Sequence, residues 1–336
     1  MRVFVAGATG AIGKRLIPLL VEAGHQVTGM TRSSYKSEQI RASGATPVVA
    51  DALDREAVRR AVCGAAPDVI VHELTAIPDK LDIRRFDQVF ATTNRLRTEG
   101  LDYLLAAAQE AGCRRIVAQS YAGWMYAREG GPVKTEEDRL DPNPPAGIRR
   151  TFEALCYLEN AVTKLSGMTG VALRYGSFYG PGNTLGSGGA MVNEIRKRRI
   201  PIVGSGGGVW SFIHIDDAAR ATARALEAGP SGIYNIVDDE PAPVSEWLPA
   251  LAKAVGAKPP WRIPAWLGRL LVGRHGVIMM TEVRGASNAK AKRELAWQPL
   301  WPTWRDGFRY GLAEDARTRS RARQSVEQQG RAYLRS

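Results

Sequence analysis

The segment VFVAGATGAIGKRL, residues 3–16, constrains the fold of this chain more than any other. A short apolar run ends at Gly7, and Gly10 and Gly13 follow at three-residue spacing. Apolar residues at helical spacing then begin at once. In a strand that turns through glycines into a helix, each glycine has a task. The first permits the tight turn, the second lets backbone approach a pyrophosphate, and the third lets helix pack on strand. The helix N-terminus then offers unpaired N–H groups to the anion. The pattern predicts a dinucleotide site on Gly7, Thr9, Gly10, Ala11, Ile12 and Gly13.

The end of the second apolar run indicates which dinucleotide. NAD sites usually place an acid there for the ribose hydroxyls, whereas an arginine accommodates a 2′-phosphate. VTGMTRSSYK offers Arg32 and Ser33, with Lys36 in support, and no acid. The expected cofactor is NADPH, with NADH as the other option.

Strand-like runs (RVFVAG, HQVTGM, TPVVA, PDVIVHEL, CRRIVAQS, VALRYG) alternate with helical stretches, among them DREAVRRAV and RLRTEGLDYLLAAAQEAG. This alternation predicts an α/β fold of Rossmann type, a doubly wound parallel sheet with helices on both faces. The pattern loosens after residue 178. We expect a cofactor domain over 1–178, its sheet completed by 208–237. A smaller, partly helical C-terminal substrate lobe takes 179–207 and 238–312, with RHGVIMM and 183–200 as a possible lid. Residues 313–336 read as a basic tail or surface helix.

Composition excludes several classes. No run approaches the roughly 18 apolar residues of a membrane span. The chain opens directly into RVFVAG, so it is expected to be cytoplasmic. Its three cysteines show no metal spacing, and no metal site is expected. The net charge of +12 comes largely from scattered arginines; RKRR at 196–199 is the only dense run and no nucleic-acid motif surrounds it.

Seven segments, in order, resemble the extended short-chain dehydrogenases/reductases, the group related to NAD-dependent epimerase/dehydratases. They are GATGAIG, ADALD, VHELTAI, TTNRLRTEGLDYLL, LRYGSFYGPG, WSFIHIDDAARA and GIYNIVDDEP, and the likeness runs over about residues 1–300. The resemblance implies that Asp51 and Ala52 lie beside the adenine and that Leu74, Thr75 and Ala76 run along the cofactor. It places Asn94 ahead of the long helix, Gln119 on the cofactor side, and Tyr175, Gly176 and Ser177 beside the nicotinamide. It makes Asp216, Asp217 and His214 structural.

The same resemblance exposes a loss. The family reduces a carbonyl with a tyrosine as acid, a lysine four residues later to lower its pKa, and a serine or threonine on the carbonyl. Aligning GIRRTFEALCYLENAV on Glu159 puts Thr151 at the tyrosine place and Leu155 at the lysine place. None of the ten tyrosines has a lysine four residues on. The serine place falls on Ala122. Ser120 and Tyr121 are the remaining catalytic candidates, with Tyr126 or water as other proton donors.

These losses resemble those of the atypical angucyclinone ketoreductases of antibiotic biosynthesis. The expected activity is NAD(P)H-dependent reduction of a ketone on a hydroxylated aromatic polyketide, the substrate's own phenol supplying the proton. Trp261, Trp266, Trp297, Trp301 and Trp304, with Leu270 and Leu271, suggest room for a polycyclic aromatic ketone. An NDP-sugar epimerase or dehydratase and a non-catalytic NADP(H) sensor are the alternatives. The oligomeric state stays open.

Overall fold

The computed structural model describes residues 1–78 and 82–314. The expected basic tail lies outside the described residues from 315 on.

Seven parallel strands form the central sheet: β1 (Arg2–Ala6), β2 (Gln26–Thr31), β3 (Thr46–Val49), β4 (Val69–His72), β5 (Arg115–Tyr121), β6 (Thr169–Tyr175) and β7 (Gly232–Ile236). Their spatial order is β7-β6-β5-β4-β1-β2-β3. Val3 sits between Val27 and Val69, which fixes the register at the centre. The chain reverses direction across the sheet at β1 and β4, and ligands of such sheets bind outside the carboxyl ends of the strands at that point.

Burial on both faces explains the continuous apolar runs. Val3, Val5, Val71, Val117 and Leu173 face one core; Phe4, Ala6, Ile70, Ile116 and Ala118 face the other. The first core is closed by α1 (Gly13–Glu22), followed in the chain by the short α2 (Ser37–Ala42). The second is closed by α3 (Arg55–Ala65), which the Asp54 carboxylate caps by accepting from the amides of Glu56 and Ala57.

After the short α4 (Phe86–Val89), the long helix expected over 95–112 is broken at Thr98 between α5 (Ala91–Arg97) and α6 (Glu99–Glu110). Thr98 leaves helical geometry (φ −109°, ψ −88°), and its hydroxyl donates to the Asn94 carbonyl at 3.0 Å. Such back-bonding competes with the helical ladder.

Next come α7 (Arg149–Thr163), α8 (Ala190–Arg196), α9 (Ile215–Ala225), α10 (Val244–Ala254), α11 (Ala265–Thr281), α12 (Ala289–Glu294) and α13 (Trp304–Tyr310). Trp247, Trp301, Trp304 and Phe308 build a separate core with Phe212 and Tyr179. The tryptophan-rich stretch is therefore not one surface. Trp297 belongs to a sheet core, whereas Trp261 and Trp266 are 58% and 67% exposed, as are Leu270 (64%) and Leu271 (54%). Gly273, at φ 72°, splits α11. Most of its buried residues lie in the second half, RHGVIMM, where Ile278 and Met279 share a core with Trp124 and Leu155. Among the described residues no helix is long and apolar enough to cross a membrane.

Candidate cofactor and substrate site

The phosphate loop is built by steric exclusion. Gly7 has φ +103°, and a Cβ there would stand 2.6 Å from the Glu73 carbonyl oxygen. A Cβ on Gly13 would meet the Ala8 carbonyl at 2.6 Å. Only glycine lets β1, the end of β4 and α1 meet this closely. No side chain caps the N-terminus of α1, whose first turn carries no acid. A groove of about 650 Å³ adjoins the start of α1, lined by Ala11, Lys14 and Arg15 on one side and by Pro181, Gly182, Ser187 and 312–314 on the other. Thr9 is half-buried, Gly10 and Ala11 are exposed, and Ile12 is buried.

Below this loop lies a carboxyl that the sequence reading did not single out. Glu73 is buried, accepts from the Tyr175 hydroxyl at 2.9 Å, and leaves Oε2 without a partner. Burial pushes its pKa up to about 8. A neutral acid beneath a pyrophosphate avoids repulsion that an ionised one would create. Tyr175 was expected beside the nicotinamide, but its side chain is fully buried, bonded to Glu73 and Thr222. Gly176 beside it is buried.

Of the other expected cofactor residues, Arg32 is exposed at the end of β2, and the Ser33 amide donates to Thr31. Asp51 accepts from the Leu53 amide, and Ala52 is buried beside α6. Leu74 is half-buried, Thr75 exposed, and the Ala76 amide donates to Thr93. Gln119 is half-buried at the end of β5.

The start of α7 is occupied by packing. Asp87 from α4 accepts the amides of Arg150 (3.1 Å) and Thr151 (2.9 Å), capping α7 from outside. The Thr151 hydroxyl donates to the same carboxylate at 2.7 Å and accepts from Asn94 Nδ2 at 3.1 Å. Thr151 is 0% exposed, and so is Leu155 one turn on. Leu155 lies among Trp124, Met125, Phe152 and Ile278. Asn94 keeps a buried Oδ1 with no partner.

Ser120 is corrected to a structural place. It is 1% exposed, and its hydroxyl donates to Glu159 Oε1 at 2.6 Å. Glu159 is also held by a two-point Arg174 bridge, both contacts 2.6 Å. Arg174 reaches the Tyr126 hydroxyl at 3.1 Å, and that hydroxyl donates to Asn235. This network consumes Ser120 and Tyr126 as proton donors, and burial lifts the Tyr126 phenol to about 12. Ala122 is buried against Tyr126. His214 and Asp217 are structural as expected. His214 is bonded through both ring nitrogens to Gly311 and Asp216, and Asp217 receives the Leu300 and Trp301 amides.

Tyr121 stays nearest to the cofactor end of the sheet. Its hydroxyl shares a 3.2 Å hydrogen bond with Ser177, and burial raises its pKa. Its ring adjoins Trp124 at 5.8 Å, and Trp124 meets His275 of α11 edge-on at 5.9 Å. His275 was missed in the sequence. A histidine opening the apolar run GVIMM was the available signal.

A family model described as the NAD dependent epimerase/dehydratase family matches residues 3–237. The chain is 43% identical over 311 residues to the 3-diazoavenalumate denitrifying reductase of a Streptomyces species, covering 92% of this chain and 99% of that protein. It is 28% identical over 264 residues to the 4-hydroxy-2-methyl-3-oxo-4-farnesyl-3,4-dihydroquinoline-1-oxide ketoreductase of Stigmatella aurantiaca, covering 77% and 74%. Among solved structures, the UDP-glucose 4-epimerase of Thermus thermophilus in complex with NAD superposes with a TM-score of 0.69 at 25% identity, covering 93% of this chain and 98% of that one. The chain belongs to the NAD dependent epimerase/dehydratase family, within the extended short-chain dehydrogenases/reductases, and is an NAD(P)-dependent oxidoreductase.

Proposed function

We propose that this protein is an NADPH-dependent reductase of an aromatic natural-product intermediate, and that its reaction needs no proton from α7. The observation that carries this reading is the complete burial of Thr151 and Leu155 where the family's acid and its lysine would stand. Leu155 carries no charge, and the Thr151 hydroxyl is committed to Asp87.

The residues present fit a dinucleotide. The Gly7–Gly13 loop and the uncapped α1 amides would hold the pyrophosphate, Arg32 with Ser33 a 2′-phosphate, and the end of β4 and Asn94 the ribose side. We read 1–178 with 208–237 as the cofactor domain, and 179–207 with 238–312 as the substrate lobe. When bound, the cofactor supplies a hydride to the substrate.

An arene carrying a diazonium group is the substrate chemistry that best suits such a site. The ring carbon gains the hydride and its electron pair, forming C–H. The C–N bond breaks, and its pair leaves with dinitrogen. Atoms and electrons balance without a proton, so no tyrosine is required. The relative that is 43% identical and is named for denitrifying a diazo compound supports this choice. A second reading is reduction of an aromatic ketone with an ortho phenol, whose internal hydrogen bond polarises the carbonyl and delivers the proton to its oxygen. The ketoreductase relative supports it. An NDP-sugar epimerase must remove a hydroxyl proton during oxidation, and the loss of tyrosine and lysine speaks against it.

The test follows NADPH absorbance with an ortho-hydroxyaryl diazonium salt, an ortho-hydroxyaryl ketone and its methyl ether. One dinitrogen released per NADPH consumed supports the first reading. Turnover of the free phenolic ketone but not its ether supports the second. In either case Thr151→Ala should retain most turnover. A fall of about 10³ in kcat, the scale of a lost general acid, would return α7 to the chemistry and sink the proposal.

A further inference from the structure

Three histidines are buried among the described residues. His214 uses both ring nitrogens, and His72 bonds the Leu96 carbonyl through Nε2 at 3.0 Å while its Nδ1 has no partner. His275, 6% exposed, makes no hydrogen bond among the described residues, and its buried Nδ1 has no partner. An unmade hydrogen bond at a buried polar atom is unfavourable, and an apolar side chain of similar size would avoid it. Burial lowers the His275 pKa to about 4, so the ring is neutral near pH 7 and presents one N–H and one lone pair.

Its surroundings are aromatic. Phe86 meets the imidazole at 5.1 Å and 70°, and Trp124 at 5.9 Å and 86°. Tyr121 and Phe152 flank Trp124, which links the cluster to the end of β5 and to the start of α7. The nearby Asp87 is not free to serve the imidazole, since its carboxylate caps α7. The cluster thus joins Tyr121, at the end of β5, to Phe152, which follows Thr151 on α7.

We propose that this cluster receives the substrate's aromatic ring and that His275 hydrogen-bonds an oxygen carried on that ring, a phenol or a ring carbonyl. This rests on the reading of the protein as a reductase of aromatic compounds. Edge-to-face contacts with Phe86 and Trp124 favour a planar ring. A site built to bond an oxygen discriminates against the analogue that lacks it, because the imidazole is then left unpaired. His275 contacts the substrate here; the hydride chemistry does not depend on its titration.

The probes are 4-hydroxycinnamate and cinnamate, titrated calorimetrically into the NADP⁺-saturated protein. The wild type should bind the hydroxylated probe at least tenfold more tightly. His275→Leu should abolish that preference while leaving cinnamate and NADP⁺ affinities within about twofold, and His275→Asn, which keeps an N–H, should restore part of it. No preference in the wild type, or equal weakening of both probes in His275→Leu, overturns the inference. If the preference is found but NADPH is oxidised with neither diazonium nor ketone substrates, the reaction assigned above fails and the role of His275 stands.

Discussion

The phosphate loop and the start of α7 lie in one sheet framework and have diverged in opposite directions. In the loop, Gly7 and Gly13 stand where a Cβ would clash with backbone, and burial of the neighbouring Glu73 favours its neutral form. At α7, the residues aligned with the family's tyrosine and lysine pack: the Thr151 hydroxyl bonds the Asp87 carboxylate that caps its helix, and Leu155 fills a hydrophobic cluster. Cofactor geometry tolerates no drift, because backbone defines it. In the function proposed above, acid–base chemistry would sit on two side chains, and a substrate that needs no enzymatic proton would release both. Retained Glu159 shows the division inside a single helix, since its bond to Arg174 holds α7 to β6 while the residues one turn earlier have changed role.

The sharpest way to break the contrast is to put the lysine back. Leu155→Lys would place an ammonium at a 0% exposed position among apolar side chains, and Glu159, four residues on, is already bridged to Arg174. Burial of that kind shifts a lysine pKa by several units, equivalent to about 4 kcal/mol of lost stability at pH 7. Urea unfolding should show the loss and NADPH oxidation should not rise. A variant as stable as the wild type, or a faster one, would mean that α7 is still poised for catalysis.

Much of this contrast was legible in the sequence. The glycine spacing predicts the strand–turn–helix that the fold contains, and the glutamate register proposes Thr151 and Leu155 at the family's tyrosine and lysine places. The rest depended on contacts between distant segments. Ser120 reads as a cofactor-side hydroxyl until Glu159, 39 residues away, is seen to take its proton. Tyr175 reads as a nicotinamide neighbour until strand alternation turns its side chain towards Glu73 and α9. The helix break at Thr98 depends on one hydroxyl choosing a carbonyl. The exposure of Trp266 and Leu270 depends on Gly273 turning α11, which hydrophobicity alone does not reveal.

A second test concerns the acid under the loop. Glu73 has a folded pKa of about 8, above its ordinary value of 4.5, because burial disfavours the anion. A raised folded pKa means that its contribution is fully present below about pH 4.5 and is lost as pH rises through about 8. Glu73→Gln removes the titration and keeps the shape. Its unfolding free energy relative to wild type should therefore improve between pH 6 and pH 9, by on the order of 2–3 kcal/mol. Parallel stability curves would show that Glu73 is ionised in the folded protein, and the loop would then tolerate a charge beneath the pyrophosphate.

The smallest effect falls at the cofactor's far end and asks how specific the retained half is. Arg32 is solvent-exposed, so its pairing with a 2′-phosphate is screened, and about 1 kcal/mol is the expected scale. Arg32→Ala should weaken NADPH binding about fivefold to tenfold and leave NADH unchanged, read from fluorescence titration at fixed ionic strength. The NADPH loss should shrink as salt is raised, since the interaction is between exposed charges. Equal losses for both cofactors would remove Arg32 from the 2′-phosphate and leave cofactor choice to the backbone around Ser33. The loop would then define the dinucleotide without selecting between its two forms, just as α7 keeps its place in the fold without the family's acid.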